Sequence, residues 1–320
     1  MPRPKASGGV FSSDPAVSPI GQANGALMRI ILLGAAAGGG LPQWNCGCVN
    51  CNAARAGRIP SMSQSSVAVS ADGENWAVLN ASPDIRYQLA ATPALHPVGP
   101  RQMPLRSVLL TNGDIDHVAG LLTLRESQPF ALYATAAIHE ALADNPMLAA
   151  VRSDLVPRHV VALDQTIQLA PGLSATLFAV PGKVPLYQEG EVVETGLVGE
   201  TTVGVELSAN GRRALYIPGC ADMPDWLKDR ISGADALLFD GTLWDDDEMI
   251  RMGLGQKTGR RMGHMPVRET LDVLADIDVE RRVLVHMNNS NPLTDPESAE
   301  AELAGARGWH VGRDGMEIEL

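Results

Sequence analysis

Residues 111–121, TNGDIDHVAGL, carry three ionisable groups, Asp114, Asp116 and His117, within four positions. They follow an apolar run that predicts a buried strand, and they precede residues 117–127, HVAGLLTLRES, which predict a helix. A helix N-cap accounts for one aspartate, because its side-chain oxygen accepts a backbone N–H that has no partner. It leaves the second aspartate and the histidine unexplained. An ordinary polar turn and half of a metal site are the remaining alternatives.

The metal hypothesis gains from two other predicted strands that end on possible ligands. Residues 282–292, RVLVHMNNSNP, leave their apolar run at His286, and residues 214–224, ALYIPGCADMP, do so near Cys220 and Asp222. Ligands at neighbouring strand ends converge without mobile loops, which suits an open catalytic metal site. Asp222 is the better ligand for a hard metal, and Cys220 stays open as the alternative.

Composition limits the classes of function. The chain has 320 residues, of which 45% are hydrophobic, and a formal net charge of −12. This charge argues against sequence-independent nucleic-acid binding, which needs a basic surface. No run approaches the length of a membrane span. Residues 1–27 are rich in Pro, Gly and Ser and lack the apolar centre of a secretory signal, so they predict a disordered extension, a possible start at Met28, and a cytoplasmic protein.

A cysteine cluster, CGCVNC, brings Cys46, Cys48 and Cys51 within six positions. This spacing poorly meets the separation and torsion of an internal disulfide. Clustered thiols in an intracellular protein more often hold a metal, and three thiolates supply three ligands of a tetrahedral structural zinc. Free thiols in a loop are the alternative.

The order of predicted elements indicates the fold class. Two hairpins turn at Asp72-Gly73 and Asn210-Gly211, and residues 309–320, WHVGRDGMEIEL, predict a closing hairpin. Between them lie strand–helix–strand crossovers. This order predicts an α/β (α+β) protein with two mixed sheets between helices, rather than one doubly wound parallel sheet.

The motifs also resemble a known family. Residues 112–117, NGDIDH, resemble the H-x-H-x-D-H signature of the metallo-β-lactamase superfamily, whose fold is an αββα sandwich of two mixed sheets. Together with CGCVNC, YIPGCADMPDWL, FDGTLWDDDEM, RMGHMPV and HMNNSNP, this stretch closely resembles the family of B proteins in pyrroloquinoline quinone (PQQ) biosynthesis. The resemblance extends over nearly everything from Met28 onward and implies one metallo-β-lactamase-like domain over residues 28–320.

This chain departs from the hydrolytic members of the superfamily, which hold two metals with about five His and two Asp. The first two signature histidines are Asn112 and Asp114, and a mid-chain histidine is replaced by Lys183. The resemblance therefore implies that one metal position has lost its imidazoles.

The remaining ligands imply a different metal. Asp116, His117 and His286 are retained, with Asp222 as a further ligand and Asp114 as a ligand or catalytic base. Two His with one or two carboxylates are the ligands of mononuclear non-haem Fe(II) sites, which keep positions open for dioxygen and substrate.

Three further residue groups receive roles from the resemblance or from their chemistry. His264, in RMGHMPV, matches a Gly-His motif that places a proton donor beside the metal in tRNA-processing nucleases, with a surface histidine as the alternative. Phosphodiesterases of the C–P lyase pathway complete their zinc site with a histidine where this chain has Asn289, so the fourth zinc ligand is open. Four basic residues could recognise carboxylates if they line the pocket, namely Arg125, Lys257, Arg260 and Arg261. The acidic run 245–248 predicts a solvated loop.

The resemblance implies a function in PQQ biosynthesis. The expected activity is that of an iron-dependent oxygenase that hydroxylates the tyrosine-derived ring of a cross-linked Glu–Tyr precursor cut from a small peptide. Fe(II) would occupy the active site and Zn(II) the structural site, and other PQQ-biosynthesis proteins are possible partners. A carrier of PQQ or its precursor is the alternative, and a metal-dependent hydrolase is disfavoured by the lost histidines.

Overall fold

The computed structural model of the chain describes residues 27–190 and 193–320. The predicted extension over residues 1–27 lies outside the described residues, apart from Leu27. Backbone hydrogen bonds to the C-terminal strand begin at Met28, whose N–H donates to the Leu320 carbonyl over 3.1 Å.

Two seven-stranded mixed sheets form the centre of the fold. The strands of the first sheet are β1 Arg29–Gly34, β2 Ser66–Ser70, β3 Trp76–Leu79, β4 Leu105–Leu109, β5 Ala131–Ala134, β6 Arg158–Val160 and β14 Glu317–Glu319. Those of the second are β7 Thr166–Ala170, β8 Leu173–Gly182, β9 Leu197–Ala209, β10 Arg212–Ile217, β11 Ala234–Asp240, β12 Val279–Val285 and β13 Trp309–Val311. Their spatial orders are β14-β1-β2-β3-β4-β5-β6 and β13-β12-β11-β10-β9-β8-β7.

Short helices connect the strands. They are α1 Val49–Arg55, α2 Ile85–Ala91, α3 Ile115–Val118, α4 Ala136–Ala143, α5 Asp225–Ile231, α6 Glu248–Arg251, α7 Gly259–Met262, α8 Val267–Val273 and α9 Ala299–Ala306. Turns of 3-10 helix cover Pro93–Leu95, Ala119–Leu122, Pro146–Ala150, Leu186–Gln188 and Pro292–Thr294. None of the helices in the described part of the chain has the length and apolar character of a membrane span.

The alternation of side chains along β10 and β11 shows how the layers pack. Tyr216 and Leu238 join a buried cluster that draws on both sheets. Their neighbours Leu215 and Phe239 join a second cluster, which includes residues of α5, α8 and α9. Since successive side chains of a strand point to opposite faces, one face of the second sheet packs against the first sheet and the other against helices. The predicted αββα sandwich is confirmed.

The two predicted turn signals are confirmed, whereas the closing hairpin is wrong. Asn210 and Gly211 both have positive φ, 54° and 77°, as the tight turn between β9 and β10 requires. At the C-terminus, however, β13 pairs with β12 in the second sheet and β14 pairs with β1 in the first. The segment between them crosses from one sheet to the other, because Gly312 donates to Leu284 and Gly315 donates to Leu32.

The helix predicted over residues 117–127 is also different in the structure. Only α3 and the following 3-10 turn are helical at its start. The Gly120 N–H donates to the Ala81 carbonyl, and a Cβ on Gly120 would lie 2.2 Å from the Ser82 oxygen. This close approach interrupts a regular helix. It also fixes the backbone of His117, whose carbonyl accepts the Ala81 N–H over 2.7 Å.

Candidate metal sites

The segment after β4 and the segment after β12 both line a cavity of about 450 Å³. Asp116 and His117 follow β4, and His286 follows β12. One ligand atom of each lies within 4.8 Å of the others, and all three residues line the cavity. His286 has a φ of 61°, a left-handed conformation that non-glycine residues rarely adopt and that often marks a functional position.

The His117 imidazole presents a free nitrogen to this group. Its Nδ1 lies 2.7 Å from the Asn112 Oδ1, an acceptor, so Nδ1 carries the proton. Nε2 is buried, has no hydrogen-bond partner among the described residues, and lies 3.8 Å from the Asp116 Oδ2. Burial lowers the pKa of His117 and thus favours the neutral imidazole that binds metals. A buried nitrogen without a partner fits a metal ion.

The His286 imidazole is held in the same way. Thr242 donates its hydroxyl to the Asp240 Oδ1 over 2.6 Å and accepts from the His286 Nδ1 over 2.8 Å. This leaves the His286 Nε2 facing the Asp116 Oδ2 at 3.1 Å. Burial alone would lower the pKa of His286, but the hydrogen bond and charge of Asp116 outweigh it and raise the pKa. Both imidazoles are therefore oriented through Nδ1 and point Nε2 at one carboxylate.

Asp240, His264 and His286 form a second group of close ligand atoms. Asp240 is fully buried, and its Oδ2 accepts from the His264 Nδ1 over 2.7 Å and from the Cys220 N–H over 2.9 Å. Hydrogen bonds thus already satisfy this carboxylate. The group orients His264, whose ring stacks 5.3 Å from that of His286 and lines the cavity. Asp240 was not among the predicted site residues, although it is the last residue of the apolar strand β11.

The structure places Asp222 away from this centre. Its side chain is exposed and accepts the Met223 N–H, so the prediction that Asp222 ligates the active-site metal does not agree with its position. Cys220 is fully buried, and its thiol donates to the Asp222 carbonyl. Neither residue belongs to a three-ligand group of the described chain. Asp114 lines the cavity outside these groups and accepts the Leu186 N–H over 3.1 Å.

The three cysteines form a separate cluster. One ligand atom from each of Cys46, Cys48 and Cys51 lies within 4.8 Å of the others. The Asn289 Nδ2 lies 3.2, 3.5 and 3.3 Å from the three sulfurs, and Asn289 is only 4% exposed. Burial raises the pKa of Cys51 to about 11. The three sulfurs could supply three ligands of a metal ion, and the Asn289 amide is the buried polar group that lies against all three.

The charged residues singled out in the sequence fall into two groups. Lys257 lines the cavity, and Arg261 contacts Glu189, which also lines it. Arg125 is mostly exposed and pairs with Glu126. Arg260 faces away as well, since it pairs with Glu269 and donates to the Ala221 carbonyl.

The prediction of a solvated acidic loop over residues 245–248 is wrong for Glu248. This residue is buried and accepts from the Ser290 hydroxyl and the Trp244 N–H. It ties the loop to the segment that follows β12.

Comparison with known proteins places this chain in a family. A model of the beta-lactamase superfamily domain matches residues 75–287. The chain is 59% identical over 296 residues to coenzyme PQQ synthesis protein B of Ruegeria pomeroyi, a match that spans 92% of this chain and all of the relative. It is 54% identical over 299 residues to the protein of the same name from Methylorubrum extorquens, with the same coverage.

Solved structures agree with this assignment. The crystal structure of Zn(2+)-bound PqqB from Methylobacterium extorquens is 54% identical, has a TM-score of 0.90, and matches over 91% of this chain and 100% of that one. A diphosphatase from the PhnP family shares the fold, with a TM-score of 0.67 at 18% identity over 92% of this chain and 97% of that one. The chain therefore belongs to the coenzyme PQQ synthesis protein B family of the beta-lactamase superfamily.

Proposed function

We propose that this chain acts in PQQ biosynthesis as an iron-dependent oxygenase that hydroxylates the tyrosine-derived ring of a cross-linked Glu–Tyr precursor. The names of its relatives support the pathway. One observation carries the chemistry: two imidazoles, oriented through Nδ1, point Nε2 at Asp116 inside a cavity. Asp116, His117 and His286 would hold Fe(II), which would activate dioxygen when bound. A reducing cytoplasm and other PQQ-biosynthesis proteins as partners belong to the same proposal.

Asn112 and Lys183 stand where the hydrolytic members of the superfamily have metal-binding histidines, and their contacts argue against a second metal. The Asn112 oxygen already accepts from the His117 Nδ1 and from the Asp114 N–H, so both of its lone pairs are engaged and ligating an ion would release one of these donors. Lys183 brings an ammonium group to the cavity wall, where a further cation is repelled. Two-metal hydrolysis needs both ions to hold the attacking and leaving oxygens. The hydrolase alternative is therefore disfavoured by contacts as well as by residue identity.

The proposed reaction consumes protons, and His264 is positioned to supply them. Hydroxylation consumes dioxygen, two protons and a two-electron reductant; one oxygen atom enters the ring as a hydroxyl group and the other leaves as water. His264 lines the cavity, and its Nδ1 donates to the buried Asp240. Its Nε2 makes no hydrogen bond within the described residues and remains available to exchange protons with a bound substrate.

The proposal is tested by measuring oxygen uptake after anaerobic reconstitution with Fe(II). With a Glu–Tyr cross-linked peptide and ascorbate as reductant, we expect iron-dependent oxygen consumption and a product that has gained one oxygen atom. Added zinc should inhibit by filling the same site without redox chemistry. Equal conversion by a zinc-only or metal-free form would contradict the oxygenase, and binding without conversion would favour the carrier.

We expect His264→Ala to retain iron but to slow turnover by roughly 10²-fold, the usual contribution of a positioned acid or base. Asp240→Asn should produce part of the same loss, because it weakens the hydrogen bond that orients the imidazole. His310→Ala, at an exposed position on β13, is the matched control. Iron content and single-turnover rates are the measurements. A loss of iron in His264→Ala would show instead that His264 is a ligand.

A further inference from the structure

A buried carboxylate in the cavity wall is surrounded by three cations. The Glu189 side chain is 8% exposed, and its Oε1 lies 2.9 Å from the Lys183 Nζ. Its Oε2 lies 3.3 Å from the Lys257 Nζ and 3.1 Å from the Arg261 Nη2. Burial alone would raise the pKa of Glu189, but the hydrogen bonds from Arg261 and Lys183 outweigh it and lower the pKa to about 2.

One carboxylate neutralises only one of these three positive charges. The Lys183 side chain is only 11% exposed, so part of the excess charge lies away from bulk water, where an unpaired ion is costly. Arg261 contacts Glu189 through Nη2, and its Nη1 is buried without a hydrogen-bond partner in the described chain. A guanidinium group normally engages carboxylates through both nitrogens. The cationic wall, Lys183, Lys257 and Arg261, therefore retains capacity for another anion.

The cationic wall adjoins the candidate catalytic group. Lys183, Glu189 and Lys257 line the same cavity as Asp116, His117 and His286. A Cβ on Gly263, the neighbour of His264, would lie 3.3 Å from the Lys183 Cγ. An anion bound at the wall would thus lie beside His264, within the same enclosed space.

We propose that Lys183, Lys257 and Arg261 form a carboxylate-binding subsite, with Glu189 as the internal anion that holds the three cations together. This inference rests on the proposed function and specifies how its substrate is held. A cross-linked Glu–Tyr compound carries carboxylates on both amino-acid moieties, whereas its aromatic ring is uncharged. Binding the carboxylates at the wall would leave the ring free to face the metal ligands.

Two dipeptides of the same size test the subsite by calorimetry on the metal-loaded full chain. L-glutamyl-L-tyrosine carries two carboxylates, and L-glutaminyl-L-tyrosinamide carries none. We expect the acidic dipeptide to bind at least about tenfold more tightly, because hydrogen bonds to charged groups are stronger than those between neutral groups. The ratio of the two affinities should fall towards one in the double variant Lys257→Met/Arg261→Met. It should also decrease in high salt.

Arg260→Met provides the matched control, since Arg260 lies on the same helix but pairs with Glu269. It should keep the full preference for the acidic dipeptide. If the double variant melts early, Lys257→Met alone, whose side chain is 40% exposed, gives the same comparison with a smaller change. Equal affinities of the wild type for the two dipeptides, or an unchanged preference in the folded variants, would overturn the subsite.

The binding measurement is independent of oxygen chemistry. A chain that prefers the acidic dipeptide through these residues, yet consumes no oxygen with iron and precursor, would support the subsite and overturn the oxygenase. Oxygen consumption by a chain that binds the two dipeptides equally would support the oxygenase and overturn the subsite.

Discussion

We expect His117→Ala and His286→Ala each to abolish Fe(II) binding at the proposed active site, while the proposed structural zinc and the fold remain. The reason is geometric. Each imidazole would supply one of three protein ligands to an open site, and two remaining ligands would be too few to outcompete water for iron.

The measurement is metal content after anaerobic Fe(II) reconstitution, together with the melting temperature. Asp222→Ala is the control, because Asp222 was also predicted as a ligand of this metal but is exposed and does not line the cavity. It should retain iron. His117 is 1% exposed, so its truncation leaves a buried void, and His117→Gln provides a second variant that keeps more of the volume. Full iron occupancy in either folded His117 variant would remove His117 from the ligand set.

The ligand triad could be predicted because its members lie shortly after apolar runs that predict strands. Asp116 and His117 lie in the segment after β4 of the first sheet and His286 follows β12 of the second, so the facing of the two sheets brings them together. The same rule was available for Asp240, which ends β11. It was missed because Asp240-Gly241 also fits an ordinary turn, and its partner His264 is 24 residues away.

Other features depend on contacts that no local pattern encodes. Asp222 and Cys220 differ by two positions, and only the folded chain shows that Cys220 is buried, with its N–H bonded to Asp240, whereas Asp222 is exposed. The cationic wall forms where a loop after β8 meets α7, so Lys183 and Arg261 become neighbours only in the folded chain. The closing hairpin failed for a related reason, since strand pairing across two sheets is set by tertiary packing.

The second large effect concerns the cysteines. We propose that Cys46, Cys48 and Cys51 hold a structural zinc and that Asn289 supplies the fourth ligand. A rotation of the Asn289 amide about its terminal bond exchanges Nδ2 for Oδ1 and would turn an oxygen towards the three sulfurs. Structural zinc contributes folding free energy directly, because the unfolded chain has no preformed site.

The zinc site connects two distant parts of the chain. It joins the loop before α1 to the segment after β12, where Asn50 also donates to the Asn289 and Asn291 carbonyls. His286 precedes Asn289 by three residues. Loss of zinc should therefore loosen the backbone that carries an iron ligand, so that iron affinity falls along with stability.

We expect Cys48→Ser to lose the zinc and to melt roughly 10 °C lower, since several kcal/mol lost from a domain of this size shift the midpoint by about that much. Asn289→Ala should keep zinc but release it faster to a chelator, because three thiolates remain. Cys220→Ser, a buried cysteine outside the cluster, is the control and should retain full zinc. Zinc content, chelator-release rates and melting curves are the measurements. A triple serine variant of the cluster that melts like the wild type would show that the thiols are free and that the two segments are held by packing and the Asn50 hydrogen bonds alone.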